Sequence, residues 1–230
     1  PPRNERVGSR AVTVAVWSVK GGVGVTSVAA MLAIAQGERA NPTVLVDLCG
    51  DIPALLGIDA AEGAPGLTDW CATPDPTVGA LARIEIPARQ DVTILPRGDG
   101  NFPLDVAPLT QSFSAMSRQL VIDCGLVTEQ HNVRRQVVAS SSVSLLVVRE
   151  CFLNLRAAQL SSLTPTAVVV LKEPGRHLGR PDVEAVTGAP VVAQIAVDAS
   201  VARCLDAGLA TARLPRSLLR SLGRVLADVA

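Results

Sequence analysis

Aromatic residues are scarce in this sequence, and neither sign of charge is in excess. Of 230 residues, none is Tyr, three are Phe and two are Trp, and 21 basic residues balance 21 acidic ones. So few aromatic side chains argue against the stacking surfaces with which proteins bind single-stranded nucleic acid. A net charge of zero gives no strong general attraction to a phosphate backbone. We therefore expect no strong nucleic-acid binding, with only local basic patches left to consider.

Long apolar runs are also lacking. No run reaches the roughly 18 residues that a membrane span needs, and the polar start, PPRNERVGSR, has no apolar region of the kind found in signal peptides. A cytoplasmic location is the expectation from these absences. The first residue is not Met, so we also expect an upstream domain to be missing from this chain.

The cysteines do not form a paired pattern. Five cysteines, an odd number with no C-x-x-C spacing, indicate reduced thiols rather than a disulfide framework. Cys49, Cys124 and Cys151 each follow a predicted strand and are expected along one carboxyl edge of the sheet, where a metal or redox site is an alternative. Single buried cysteines usually behave as small hydrophobic residues, and we favour that interpretation.

Aliphatic residues, in contrast, are abundant. The chain is 48% hydrophobic, and its Val, Ile and Leu runs alternate with helical segments in βαβ order. This pattern predicts a single doubly wound, mostly parallel α/β sheet of about seven strands flanked by helices, in a domain at 11–230 behind a polar N-terminal tail at 1–10. The predicted strands are 11–18, 43–47, 91–96, 120–123, 143–148, 167–171 and 190–195; 81–86 is a further candidate strand, and 67–70 is a predicted short helix.

A glycine-rich loop in the segment 16–27, VWSVKGGVGVTS, joins the first predicted strand to the first predicted helix. Such a loop lets backbone N–H groups surround a phosphate at the positive end of the helix, and Thr26 is placed to offer its hydroxyl to Mg²⁺. In an ordinary P-loop the preceding residue is the lysine that reaches the β- and γ-phosphates, but here it is Val25. The predicted nucleotide-binding residues are Lys20, Gly21, Gly22, Val23, Gly24, Val25, Thr26 and Ser27.

This loop, K-G-G-x-G-x-T-S, resembles the deviant Walker A motif of the ParA/MinD superfamily. Lys20 matches the family's signature lysine, which the resemblance implies reaches across a dimer to the partner's nucleotide. The resemblance covers most of the chain and implies a P-loop fold, ATP or ADP with Mg²⁺ as cofactor, and a homodimer. It also implies that Asp123, in the switch II position, lies near Mg²⁺ with Thr26 and Asp47 if nucleotide binds. The other matching segments are 44–58, 95–98, 119–125, 182–191 and 197–198.

Three positions depart from the family pattern. Val25 replaces the phosphate lysine, and Cys49 replaces the second acidic residue of a D-x-D motif, although Asp47 remains and Asp51 lies close by. Leu171, followed by Lys and Glu, stands where relatives carry the Asn that reads adenine. Because each such donor contributes about 3 kcal/mol to transition-state stabilisation, we expect a weak or absent ATPase and assign no catalytic residue.

Within the superfamily, the segments 50–58 and 150–157 look most like the TadZ/CpaE pilus-assembly branch and related septum-site-determining proteins. That resemblance implies a dimeric localisation or scaffold factor whose protein partners belong to a pilus, secretion or cell-division machine. The alternative is a slow ATPase of the chromosome-partitioning or positioning type, cycling on nucleoid or membrane. In that case Lys20 and nearby carboxylates compensate for Val25 and Cys49.

Plainer interpretations stay open at several of these positions. Lys20 is alternatively a solvated loop lysine, Asp123 a cap of the next segment, and Thr26 a helix N-terminal hydroxyl. The remaining basic side chains singled out have no ligand-like spacing and are expected on solvated surfaces. They are His131, His177, Arg134, Arg135, Arg216, Arg220 and Arg224.

The segment 215–229 is an amphipathic helix by its spacing. Leu and Val recur on one face, while Arg216, Arg220 and Arg224 lie four apart on another. MinD-like proteins use such a helix for peripheral membrane contact. We favour packing of its apolar stripe on the sheet, because the segment has no bulky aromatic residue to anchor it in lipid.

Overall fold

A single sheet of eight strands runs through the computed structural model, which describes residues 12–59, 61, 63–227 and 229. The tail predicted at 1–10 lies outside the described residues. The strands are β1 (Thr13–Ser18), β2 (Thr43–Asp47), β3 (Ile86–Arg89), β4 (Val92–Leu95), β5 (Gln119–Leu126), β6 (Val143–Arg149), β7 (Ala167–Lys172) and β8 (Val191–Ala196).

The spatial order of the strands is β3-β4-β2-β5-β1-β6-β7-β8. Every neighbouring pair is parallel except β3 and β4, which are antiparallel. The predicted doubly wound, mostly parallel α/β sheet is confirmed, with one strand more than the seven predicted.

Helices in the described residues lie between these strands and after the last one. They are α1 (Val25–Gly37), α2 (Ile52–Leu55), α3 (Leu67–Cys71), α4 (Val78–Ile84), α5 (Ala107–Ala115), α6 (Asn132–Ser140), α7 (Phe152–Gln159), α8 (Arg180–Thr187), α9 (Ala199–Asp206), α10 (Ala210–Arg213) and α11 (Arg216–Val225). The short helix predicted at 67–70 is confirmed as α3.

Two apolar cores lie on opposite faces of the sheet. In β1, Val14 and Val16 belong to one core, while Ala15 and Trp17 belong to the other. Successive side chains of a strand point to opposite faces, so a strand covered on both sides needs apolar residues at every position. This explains the near-continuous aliphatic runs of the sequence.

The candidate strand at 81–86 is wrong for most of its length. Helix α4 occupies Val78–Ile84, and only Ile86 belongs to a strand, as the first residue of β3. Thr77 caps this helix, because its hydroxyl accepts a hydrogen bond from the N–H of Ala80 (3.3 Å). Leu81 faces the core at full burial. A capped, helix-favouring run therefore prevails over the short apolar pattern that suggested a strand.

The C-terminal helix α11 packs on α1 rather than standing free. Leu219, Leu222 and Val225 are buried in the core that also contains α1, and Gln36 of α1 donates a hydrogen bond to the carbonyl of Gly223 (3.2 Å). The apolar stripe is thus covered by protein, as expected, although it packs mainly on α1 and only in part on the sheet, at β8. Within the described ranges, no helix combines the length and the apolar character needed to cross a bilayer.

Candidate functional site

The glycine-rich loop between β1 and α1 has the backbone shape of an anion cradle. Gly22 (φ 73°) and Gly24 (φ 97°) adopt left-handed conformations, which glycine tolerates without the strain that a Cβ brings. A Cβ added to Gly24 would lie 3.0 Å from Cδ1 of Leu171, whereas one added to Gly21 would meet nothing within 4 Å. The loop therefore leaves open space beside Gly21 while β7 closes it beside Gly24.

The start of α1 supplies backbone donors to this space. The first intrahelical bond runs from the N–H of Val28 to the carbonyl of Gly24 (3.0 Å). The N–H groups of Val25, Thr26 and Ser27 precede it and have no acceptor within the helix. The first turn carries no acidic residue. Together with the helix dipole, these groups favour an anion.

Val25 belongs to the apolar core. It is only 6% exposed, and it packs in the same core as Val28 and the adjacent strands. Val23 is buried as well, so both valines of the loop hold it against the sheet. Lys20, by contrast, is exposed at the opening of the loop. The position that carries the phosphate lysine in an ordinary P-loop thus supplies packing and no charge.

A groove of about 480 Å³ opens in front of the loop. Its other wall includes Cys49 and Asp51 after β2, Gly125 and Leu126 at the end of β5, and Arg134 of α6. The remaining lining residues are Lys20, Gly21, Gly22, Val23, Gly24, Val25 and Thr26. The structure therefore brings the predicted loop residues together with the ends of β2 and β5, where the other predicted side chains lie.

Arg134 was expected on a solvated surface, and that prediction is wrong. Its guanidinium is half-buried and donates hydrogen bonds to the carbonyls of Leu126 and Leu48, each at 3.2 Å. Its neighbour Arg135 forms a surface ion pair with Glu129 at 2.8 Å, as expected for a solvated face. The groove therefore holds a fixed cation in addition to Lys20. The sequence signal that could have identified Arg134 as a groove residue is its position in α6, the helix that follows β5.

Asp123 lies fully buried near the end of β5. Its Oδ1 accepts a hydrogen bond from the N–H of Gly125 (3.0 Å), while Oδ2 has no hydrogen-bond partner in the described part of the chain. Burial raises the pKa of this carboxyl to about 7, against the lowering effect of the adjacent Thr26 hydroxyl. A buried oxygen without a partner is unfavourable, so this side chain favours a proton or a cation beside it.

Asp47 holds the turn that follows β2. Its Oδ1 accepts hydrogen bonds from the N–H groups of Cys49 (2.8 Å) and Gly50 (2.6 Å), and its Oδ2 accepts one from Ile52 (3.0 Å). Burial raises the pKa of Asp47, and these three N–H donors counteract the rise. Its carboxylate therefore orders the loop in addition to facing Asp123 across the β2–β5 pair.

The three cysteines expected along one edge have different surroundings. Cys49 is half-buried in the groove, and its thiol donates to the carbonyl of Asp123 at 3.7 Å. Cys124 is fully buried in the core that contains Ala15 and Trp17, on the other face of the sheet from Val25. Cys151 directly precedes α7. Burial, reinforced by the negative charge of Asp123, raises the pKa of the Cys49 thiol, so the thiol is neutral at pH 7. Of the three, Cys49 is the one that lines the groove.

These residues fit part of a magnesium nucleotide. The loop and the start of α1 match a chain of phosphates, and the unpartnered Oδ2 of Asp123 beside Thr26 matches a hydrated cation. Leu171, which the family resemblance places at the base-reading position, packs on Gly24, with 8% of its surface exposed. The site therefore fits phosphates and a hydrated cation. The apolar side chains of Val25 and Leu171, however, offer neither charge nor hydrogen-bonding groups to a nucleotide.

Neither a protein-family model nor a curated protein matches the sequence, but solved structures do. A chain of the MinC:MinD cell division protein complex of Aquifex aeolicus matches with a TM-score of 0.77 at 16% identity, over 96% of this chain and 97% of that one. The septum site-determining protein MinD of Pyrococcus horikoshii, complexed with Mg-ADP, matches with a TM-score of 0.75 at 20% identity, over 95% of each chain. A ParA-family ATPase of Chlorobium tepidum matches with a TM-score of 0.70 at 16% identity, over 94% of this chain and 98% of that one. The chain has the MinD/ParA fold.

The MinD/ParA fold places the glycine-rich loop where strand order reverses around β1, between β5 and β6. Ligands of open α/β sheets bind at the carboxyl ends of the strands near such a reversal. The glycine loop, Asp47 and Asp123 all lie at that edge. The fold alone does not decide the chemistry of a site, which here depends on this chain's own residues, among them Val25, Cys49 and Leu171.

Proposed function

We propose that this chain is a MinD/ParA-fold protein with a degenerate ATP site, acting as a dimeric localisation or scaffold factor for a pilus, secretion or cell-division machine. The observation that carries the proposal is the burial of Val25 in the core. Phosphoryl transfer depends on positive charge placed at the γ-phosphate. A valine packed away from solvent provides none, so fast turnover is not expected.

Nucleotide binding is a separate step, and the site retains features that favour it. The N–H groups of the loop and of the first turn of α1 would hold the phosphates of ATP or ADP, and Thr26 with Asp123 would hold Mg²⁺ through its water shell. The bound ion would neutralise phosphate charge. Lys20 and Arg134 add positive charge along the groove, which offsets part of the missing lysine.

The dimer would form through the face that carries the groove. Lys20 is exposed there, and it forms no ion pair with the residues that the structure describes. A lysine at the mouth of a phosphate loop is well placed to meet an anion or an acidic group of a second copy. We place this dimer in the cytoplasm with protein partners. Peripheral membrane contact through α11 is not favoured, because its apolar stripe is buried.

Phosphate release from ATP, measured for three proteins, tests this proposal. The wild type and Val25→Met should hydrolyse ATP at rates near the buffer background, while Val25→Lys should hydrolyse it at least about tenfold faster, because one positioned donor contributes about 3 kcal/mol. Val25→Met is the matched control, since it adds length without charge. Wild-type turnover at the rate of a lysine-bearing relative, lost in Asp123→Ala, would contradict the proposal.

The second candidate is a slow ATPase of the partitioning or positioning type, cycling on nucleoid or membrane. It is supported by Arg134, a fixed cation in the groove, together with the partnerless oxygen of Asp123. In that case wild-type turnover is slow but above background, and it falls to background in Arg134→Gln. The same phosphate-release assay therefore separates the two candidates.

A further inference from the structure

Three potential metal ligands meet at the carboxyl ends of β2 and β5. Asp47 is the last residue of β2, Cys49 follows two residues later, and Asp123 lies opposite Asp47 in the β2–β5 register. One ligand atom from each side chain, a carboxylate oxygen or Sγ, lies within 4.8 Å of the other two. This convergence depends on strand pairing and not on sequence spacing.

A second observation points to a ligand at the same place. Oδ2 of Asp123 is buried and has no hydrogen-bond partner in the described ranges. The nearby cation, Arg134, donates to the carbonyls of Leu126 and Leu48 and not to a carboxylate. Two carboxylates and a thiol are therefore grouped, and in the described residues none of them forms an ion pair. Such a group is costly to bury unless something positive joins it.

The chemistry of the three groups selects the kind of cation. Mg²⁺ and Ca²⁺ prefer oxygen ligands throughout, whereas a thiolate favours Zn²⁺ and Co²⁺, which also accept carboxylate oxygen. Zinc bonds of about 2.3 Å to sulfur and about 2.1 Å to oxygen place ligand atoms roughly 3.5 Å apart in a tetrahedral site. The ligand atoms of this cluster lie up to 4.8 Å apart, so each pair would need to move closer by about 1.3 Å at most to reach the tetrahedral spacing.

The surroundings provide orientation and access. Asp47 is fixed by three backbone N–H groups, which is the kind of outer support that holds metal ligands in place. Cys49 is half-buried and is the member of the cluster that lines the groove, whereas Asp47 and Asp123 are fully buried. An ion would therefore reach the cluster from the Cys49 side. The guanidinium of Arg134, in the same groove, offsets part of the negative charge.

We propose that Asp47, Cys49 and Asp123 bind a single thiophilic divalent cation of the Zn²⁺ or Co²⁺ type, with water as the fourth ligand, in the nucleotide-free protein. On binding, the S–H bond of Cys49 breaks, its proton passes to solvent and a sulfur–metal bond forms, without any redox change. Where the Asp123 carboxyl carries a proton, that proton also passes to solvent as the oxygen–metal bond forms. This goes beyond the proposed function, because it requires neither nucleotide nor a dimer.

Titration of the chelator-stripped full chain with Co²⁺, without nucleotide, tests the site. A near-ultraviolet thiolate-to-cobalt charge-transfer band should grow to one equivalent and disappear when Zn²⁺ is added. Cys49→Ser should abolish the band and weaken Zn²⁺ binding at least about tenfold. Cys71→Ser, at a half-buried cysteine of α3 outside the cluster, should leave both unchanged.

Asp123→Asn is a second variant in case Cys49→Ser does not fold. It removes one ligand charge without changing side-chain size, so it should weaken Zn²⁺ binding while the protein still melts cooperatively. A missing band, a band that survives in Cys49→Ser, or equal displacement of Co²⁺ by Mg²⁺ would each overturn the proposal. None of these readouts involves ATP, so failure here is distinct from failure of the proposed function.

Discussion

Replacing Asp123 with Asn should remove a large pH dependence from the folding free energy. Burial raises the pKa of this carboxyl from its ordinary value of 3.8 to about 7. Between those two values the folded chain binds the proton and the unfolded chain does not. The associated stability is therefore fully present below about pH 3.8 and is lost as the pH rises through 7. At about 1.36 kcal/mol per pKa unit, the full change is about 4 kcal/mol.

Urea unfolding from pH 4 to pH 8, in EDTA and without nucleotide, measures this effect. The difference in unfolding free energy between the wild type and Asp123→Asn should change by up to about 4 kcal/mol over that range, with the variant gaining relative stability as the pH rises. Comparing the two proteins removes the contributions of groups distant from Asp123. Asp47 is not among them, because its charge also raises the pKa of Asp123 and the two carboxyls titrate as a coupled pair.

Asp198 provides a control of opposite sign. The N–H of Ser200 donates to its carboxylate at 2.6 Å and lowers its pKa. Asp198→Asn should therefore lose stability relative to the wild type as the pH rises toward 3.8, the ordinary value from which the pKa is lowered, and it should change little from pH 4 to pH 8. If the wild type and Asp123→Asn respond to pH in parallel, the Asp123 carboxyl is not a buried acid that lacks a partner, and the reasoning about the site fails.

Three further outcomes follow from packing and charge. Leu222→Ala in α11, at 1% exposure, should destabilise the fold by about 2–5 kcal/mol in urea unfolding, whereas Leu160→Ala, at 75% exposure, should change it by less than about 0.5 kcal/mol; equal effects would mean that α11 does not pack on α1. Gly24→Ala should cost about 1–2 kcal/mol for its left-handed backbone, and Gly21→Ala much less, so equal melting temperatures would refute the described loop shape. Lys20→Glu should weaken dimerisation, as measured by sedimentation velocity at several concentrations. A wild type that remains monomeric at high concentration with and without ATP would contradict the proposed dimer.

The sequence was most informative where structure is local. The glycines at 21, 22 and 24, between a β-branched strand and a helical run, predicted the turn between β1 and α1 correctly, because both signals lie within a few residues of each other. The same reasoning failed at 81–86, where a short apolar run suits a strand or a helix equally well. There the cap at Thr77 decides, through a hydrogen bond that periodicity does not show.

Contacts between distant segments could not be predicted in this way. The guanidinium of Arg134 donates a hydrogen bond to the carbonyl of Leu48, which is 86 positions away in the chain. The proximity of Cys49 to Asp123 likewise depends on β2 pairing with β5 in the sheet. Strand order in a doubly wound sheet is a property of the whole fold. Until that order is known, a charged residue that contacts a distant strand cannot be distinguished by sequence from a charged residue on the surface.

The apolar side chains around the glycine-rich loop stabilise the same loop shape. The buried side chains of Val23 and Val25 hold the loop against the core from one side. Leu171 closes on Gly24 from β7. These apolar contacts favour the same loop shape whether or not an anion is present. A loop held in this way keeps its shape without bound nucleotide, which is consistent with the proposed scaffold function.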